Sequence, residues 1–192
     1  MIKYFIILTG MLFSQMNNAQ SYDIEHQNRI LLRTLSKSFD IEHPNFKKLI
    51  LDSTFKEKYQ VKGELFKVTK SGNSHLYIYS GRVFSCRTGG CSAPGPLSSN
   101  HDGEYFDYFA IFDQQGNLTN VRIFNYQATH GQGVTSKGWL RQFTKLAIDE
   151  TPTVNKNIDG VSGATISVYA ITDDMAIRME MIKEIIQKNP LP

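Results

Sequence analysis

The chain has 192 residues, a formal net charge of +3 at pH 7 and 41% hydrophobic residues, a size and composition that suit one domain with a substantial core. Its lysines and arginines are scattered among acidic residues, which argues against nucleic-acid binding. Cys86 and Cys91 are the only cysteines, and no second Cys or His pair accompanies them to complete a four-ligand zinc site.

The amino terminus has the layout of a signal peptide. Lys3 supplies a positive charge, residues 4–13 form an apolar run, and residues 14–20 are mostly polar. The apolar run is shorter than the roughly 20 residues that span a bilayer. We predict a signal peptide over residues 1–20 and export to the periplasm or another extracytoplasmic compartment, with no transmembrane segment in the mature chain. A small buried helix or a retained membrane tether is the alternative interpretation.

Residues 21–75 are predicted to form an amino-terminal extension of helices and a strand. Within residues 23–39, Leu31, Leu35 and Phe39 recur at helical spacing and predict an amphipathic helix. Pro44 predicts the start of a second short helix that continues to Ile50. Residues 64–70 have the pattern of a strand.

Residues 76–188 are predicted to form the main domain. Strand patterns cover residues 75–80 and 82–84, and a hairpin is predicted from residues 105–112 and 118–126. A short helix is predicted over residues 137–146 and a long one over residues 165–188. The fold class is therefore α+β, with a central antiparallel sheet packed by helices and a long carboxy-terminal helix.

Residues 87–100 form a polar loop rich in glycine and proline, and Cys86 and Cys91 lie at its start. In an exported protein these cysteines suit a small disulfide loop. Two structural thiols or a redox-active pair remain open alternatives.

The segment most informative about function is residues 157–167, which precede and enter the long helix. Backbone N–H groups at a helix amino terminus are unpaired and the helix dipole is positive there, so a phosphate is stabilised. Gly160 and Gly163 permit close backbone approach, and Ser162, Thr165 and Ser167 carry hydroxyl donors. The same residue types are ordinary in caps and turns, so the chemistry alone leaves both interpretations open.

Residues 159–165 have the sequence D-G-V-S-G-A-T. This run resembles the D-x-x-[ST]-G-A-[ST] pattern of the FMN-binding domain family, which includes flavin-carrying subunits of the sodium-translocating NADH:quinone reductase and of the Rnf complex. The resemblance implies that a flavin transferase uses FAD to attach FMN through a phosphoester to Thr165. It also implies that Asp159, Ser162, Gly163 and Ala164 shape the turn that presents this hydroxyl.

A second part of the resemblance lies upstream. The family has a Thr-Pro-Gly-x-Gly turn after its hairpin, and this chain has Thr129, Gly131 and Gly133 in that spacing, with His130 in place of proline. The resemblance implies that these three residues also bind the cofactor. Candidate neighbours of the flavin ring are three aromatic residues, Phe124, Tyr126 and Trp139.

These features favour an exported electron-transfer module that carries covalent FMN between unknown donor and acceptor proteins. An electron carrier is favoured over an enzyme with its own substrate, and no catalytic residue or metal site is assigned. One alternative is a flavin-dependent reductase of a small molecule, for which His101 and His130 are the candidate general acids. The other is a non-redox domain or one that binds FMN loosely.

Overall fold

The computed structural model describes residues 23–70, 72, 74–86 and 103–188, except for the side chain of Cys86. The predicted signal peptide, the loop over residues 87–100, His101 and the pairing of Cys86 with Cys91 lie outside these residues and stay predictions. The division between an extension and a main domain at residue 75 also stays a prediction. Within the described ranges no helix is both long and apolar enough to cross a membrane.

The centre of the fold is a five-stranded sheet in which every neighbouring pair is antiparallel and the spatial order follows the chain. The predicted α+β class and the predicted hairpin between the last two strands are confirmed. The long third strand joins the two segments that the sequence predicted as separate strands. The strands are β1 (Phe46–Lys48), β2 (Gly63–Thr69), β3 (His75–Cys86), β4 (Glu104–Phe112) and β5 (Leu118–Tyr126).

One face of the sheet is covered by the carboxy-terminal helix α4 (Thr165–Lys188), whose predicted bounds are confirmed. Its buried side chains, among them Val168, Ile171 and Met175, join a core with Tyr79 and Tyr108 of the sheet. Apolar residues at steps of three and four form a stripe along one side of a helix, and the helix is stabilised when that stripe packs against another apolar surface. The helix is therefore held by the sheet along most of its length.

The opposite face of the sheet is covered by α1 (Arg29–Phe39). Leu31 and Leu35 are fully buried in a second core with Phe109 and Ile111. The helix begins later than predicted because the side chain of Asn28 accepts a hydrogen bond from the Leu31 amide at 3.0 Å and caps it.

The prediction of a helix beginning at Pro44 is wrong. Phe46–Lys48 is an edge strand whose register with β2 pairs Phe46 with Val68. Tertiary pairing overrides the local preference because the exposed edge of β2 offers unpaired backbone groups. A short helix that the sequence did not predict, α2 (Ser53–Lys58), follows.

The predicted helix over residues 137–146 is shorter than expected. Only Lys137–Leu140 is α-helical, as α3, and the chain then forms a 3-10 turn at Phe143–Lys145. Trp139, Leu140 and Phe143 are buried together against the sheet. The spacing of the apolar residues thus correctly predicted which side chains are buried, but these side chains lie on two short turns instead of one helix.

Candidate functional site

Thr165 is the first residue of α4, and its side chain is exposed. The first helical hydrogen bond runs from the Val168 amide to the Ala164 carbonyl at 2.9 Å. The amides of Thr165, Ile166 and Ser167 therefore have no acceptor within the helix. No acidic side chain lies in the first turn of α4, so the positive end of the helix dipole is not neutralised there and favours an anion.

The turn before the helix, residues 159–164, is held by the α3 segment. The indole N–H of Trp139 donates to the Asp159 carbonyl at 2.9 Å, and the Asp159 amide donates to the side-chain oxygen of Gln142 at 2.9 Å. Both backbone groups of Asp159 are therefore bound, while its carboxylate side chain is exposed. Gly163 has φ +73°, a left-handed conformation that glycine adopts without strain.

The glycine turn at residues 129–133 packs against the start of α4. A Cβ added at Gly131, which has φ +90°, would lie 2.6 Å from Ser167 Oγ and 2.9 Å from the Tyr126 hydroxyl. A Cβ added at Gly133 would lie 2.6 Å from Val161 Cγ1. Glycine is required here because a side chain would separate the two turns. The structure thus brings together the two motif segments that are about 30 residues apart in the sequence.

A hydroxyl network joins the end of β5 to these turns. The Tyr126 hydroxyl donates to the His130 carbonyl and lies 3.1 Å from Ser167 Oγ. A carbonyl can only accept, so Ser167 donates to the Tyr126 oxygen. Burial raises the pKa of Tyr126, and the bond from Ser167 acts in the opposite direction. The Thr129 hydroxyl donates to the carboxylate of Glu104, so Thr129 secures its turn to β4.

The remaining hydroxyls of the site differ in their exposure to solvent. Ser167 is buried, whereas Ser162 and Thr165 are exposed. Within the described part of the chain neither exposed hydroxyl makes a hydrogen bond. Of the three aliphatic hydroxyls in this segment, Thr165 is thus the one that is exposed and lies on the helix itself.

The aromatic residues predicted to contact a flavin ring mostly pack against other residues of the protein. Trp139 is buried and packs edge-on against Phe143, with ring centroids 5.4 Å apart. Tyr126 is half-buried and stacks on Phe106 at 5.5 Å. Phe124 packs with the α1 core on the opposite face of the sheet, so the structure does not place it with the other site residues. His130 is exposed.

The site and fold together define an α+β domain whose glycine-rich turns present a helix amino terminus and an exposed hydroxyl. Residues 104–176 match the family model described as the FMN-binding domain, so this stretch of the chain is similar to that family. The match runs from the first residue of β4 into α4 and includes both motif segments. Neither the search of curated proteins nor the search of solved structures found a match to this chain.

The groups present at this site fit the phosphate of FMN. Unpaired helix amides, an end of α4 without acidic side chains and two exposed hydroxyls are the donor set that an anion requires. Added Cβ atoms at Gly131 and Gly133 would collide with the neighbouring turn. The residues that would hold the phosphate are Thr165 and Ser162, with Gly163 and the first amides of α4.

Sequence reasoning missed two groups that hold the site. The side chain of Gln142 accepts a hydrogen bond from the Asp159 amide, and the side chain of Glu104 accepts one from the Thr129 amide. No sequence signal marks either residue, because a glutamine or glutamate in these positions is also typical of a solvated surface.

Proposed function

We propose that this protein is an exported electron carrier that holds FMN covalently, through a phosphoester to the side-chain oxygen of Thr165. The observation that carries the proposal is the exposed Thr165 hydroxyl at the amino terminus of α4, inside a matched FMN-binding domain. A phosphate joined there would be stabilised by the first amides of the helix.

A flavin transferase is the proposed partner for attachment, with FAD as the donor. The Thr165 oxygen attacks the phosphorus on the riboflavin side of the phosphoanhydride. An O–P bond forms at Thr165, the phosphoanhydride bond breaks, AMP leaves and the hydroxyl proton passes to a base of the transferase. The exposure of Thr165 supports this scheme because the transferase must reach the hydroxyl.

The residues around Thr165 would then orient and retain the cofactor. Gly163 lets the backbone turn into the helix, and Ser162 offers a second donor to the phosphate. Trp139 and Gln142 hold the preceding turn through the two backbone groups of Asp159. Bound FMN supplies one- or two-electron transfer, and a linkage through phosphate leaves its ring unmodified.

Export is part of the proposal and is supported by the signal-like pattern of residues 1–20. Outside the cytoplasm free FMN is scarce, so a covalent bond retains the cofactor where affinity alone would fail. The electron donor and acceptor are proposed to be proteins that approach the bound flavin. A reductase acting on a small molecule would instead need a proton donor over the flavin, and exposed His130 is the described residue that could take this role.

The experiment is to express the full chain together with a flavin transferase and to measure intact mass. The wild type and Thr165→Ser are expected to gain the mass of FMN minus water. Thr165→Ala is expected to gain nothing. Thr151→Ala is the matched control and is expected to gain the full increment, because Thr151 is an exposed threonine outside the turn.

An unmodified wild type, with a transferase that modifies a control substrate, would contradict covalent attachment. FMN that then co-elutes with the protein would indicate loose binding, and its absence would indicate a non-redox role. A mass gain that persists in Thr165→Ala would place the bond on another hydroxyl.

A further inference from the structure

The outward surface of α4 changes character along the helix. Its exposed positions from Asp173 onwards are polar or charged, namely Asp173, Glu180, Gln187 and Lys188. At the amino end the exposed positions next to Thr165 are instead Ile166 and Tyr169. Solvent-facing helix positions are normally polar, so these two side chains need an explanation.

The exposure of these two residues is large. Ile166 is 45% exposed and Tyr169 is 46% exposed. In the part of the chain that the structure describes, the other exposed large apolar side chains are Ile30 at 44%, Leu32 at 39% and Ile50 at 94%. Ile30 and Leu32 lie at the start of α1, whereas Ile166 and Tyr169 lie within the first five residues of α4, beside the proposed attachment hydroxyl.

Helix geometry joins these side chains into one surface with Thr165. Residues three and four apart are neighbours on a helix face, so Tyr169 adjoins both Ile166 and Thr165. Tyr169 lies about 6 Å along the helix axis from Thr165. Ala164, Ser167 and Val168 are buried on the other side of the same turn, which directs the surface formed by Ile166 and Tyr169 towards solvent.

The other aromatic side chains of the site are less able to receive a ligand. Trp139 is buried and uses its N–H on Asp159. Tyr126 is held by its stack with Phe106 and by its hydroxyl bonds. The apolar area still exposed beside Thr165 thus belongs to Ile166 and Tyr169.

We propose that Ile166 and Tyr169 form the surface on which the isoalloxazine ring of the FMN on Thr165 lies. This inference rests on the proposed attachment and adds the binding surface of the ring. The ribityl chain, with about 1.5 Å per C–C bond, can bridge the distance of about 6 Å from Thr165 to Tyr169. The flat ring would stack on Tyr169 and cover Ile166, which removes apolar surface from water. Its other face would remain open to a redox partner.

The test uses full-length protein that intact mass shows to be fully loaded with FMN. A tyrosine ring in contact with a flavin quenches its fluorescence by electron donation to the excited flavin, whereas phenylalanine does not. Tyr169→Phe is therefore expected to raise flavin fluorescence several-fold while the visible circular dichroism of the flavin persists. Tyr169→Ala is expected to raise fluorescence and also to lower the dichroism and the fluorescence anisotropy.

Ile166→Ala is expected to lower the flavin anisotropy and dichroism, because the ring loses part of its contact surface. Ile30→Ala is the matched control. Ile30 is 44% exposed on α1, across the sheet from α4, and its substitution is expected to change neither signal. All these positions are exposed, so the unfolding temperature should stay close to that of the wild type.

The outcomes separate this inference from the proposed function. If the protein is fully loaded with FMN but its flavin signals do not change on substitution of Tyr169 or Ile166, the proposed contact with the ring is wrong and the proposed attachment still stands. A wild type with no mass gain would overturn the attachment and, with it, this inference. Loaded wild type that fluoresces like free FMN would also overturn the ring surface.

Discussion

Ser167 Oγ lies 3.1 Å from the hydroxyl oxygen of Tyr126, and this contact joins the first turn of α4 to the end of β5. Gly131 lies against both groups. The contact therefore sets the distance between the glycine turn and the helix that bears Thr165.

Removing either hydroxyl should weaken the same connection. We expect Tyr126→Phe and Ser167→Ala to show a coupling of about 0.5–1.5 kcal/mol in a double-mutant cycle, since the pair is partly shielded from water. Urea unfolding of the four proteins measures this value. A sum that is additive within about 0.3 kcal/mol would show that the two hydroxyls do not interact.

Gly131→Ala should destabilise the protein by more than one mechanism. The φ of +90° is strained for alanine, and the new Cβ would lie 2.6 Å from Ser167 Oγ, so we expect a loss of about 2–4 kcal/mol. The control is Gly72→Ala, where φ is +75° but nothing lies within 4 Å of the added Cβ. It should show the strain alone, about 1–2 kcal/mol. Equal losses would contradict the close packing of the two turns.

Gln142→Ala should slow the attachment of FMN. The variant loses the acceptor that binds the Asp159 amide at 2.9 Å, so the turn before Thr165 is less ordered when it meets the transferase. We expect a stability loss of about 1 kcal/mol and a lower rate of mass gain under limiting transferase. Gln115→Ala, at an exposed position in the turn between β4 and β5, serves as the control. Equal attachment rates for the two variants would refute the positioning role.

Arg178 should be a large contributor to stability. It is fully buried on α4, pairs with Asp174 at 3.2 Å and donates to the Tyr59 carbonyl after α2. Arg178→Met leaves Asp174 without its cation, and we expect a loss of about 3–5 kcal/mol. Adding Asp174→Asn should recover part of it. Arg122→Met, at a half-buried arginine without an ion pair among the described residues, should lose less. A loss in Arg178→Met no larger than in Arg122→Met would contradict this role.

Glu184 should make stability depend on acid pH. Its hydrogen bonds with Lys188, Lys58 and Tyr59, in that order, lower its pKa from 4.5 to about 2. A depressed carboxyl pKa contributes stability that is complete above about pH 4.5 and is lost as pH falls towards 2. The difference in unfolding free energy between wild type and Glu184→Gln should therefore shrink over that interval. A difference that stays constant from pH 6 to about 2.5 would contradict the pKa shift.

Much of the fold could be predicted because its signals are local. The alternation in residues 118–126 and the turn before them specify a hairpin. The stripe from Val168 to Ile182 specifies α4 with the bounds that the structure shows. Thr165 could likewise be chosen from a contiguous motif. These features depend on residues that are close together in the sequence, so the sequence is sufficient to predict them.

The tertiary structure decided what depends on residues far apart in the chain. Phe46–Lys48 became a strand because β2 offered its edge, a pairing that outweighs the local effect of Pro44. Gly131 lies against Ser167 because the turn after β5 and the start of α4 lie on the same face of the sheet. The exposure of Ile166 and Tyr169 likewise follows from which side of α4 the sheet buries. The sequence alone determined the hairpin of β4 and β5, the helix α4 and the candidate hydroxyl, whereas packing against distant residues determined which side chains surround that hydroxyl.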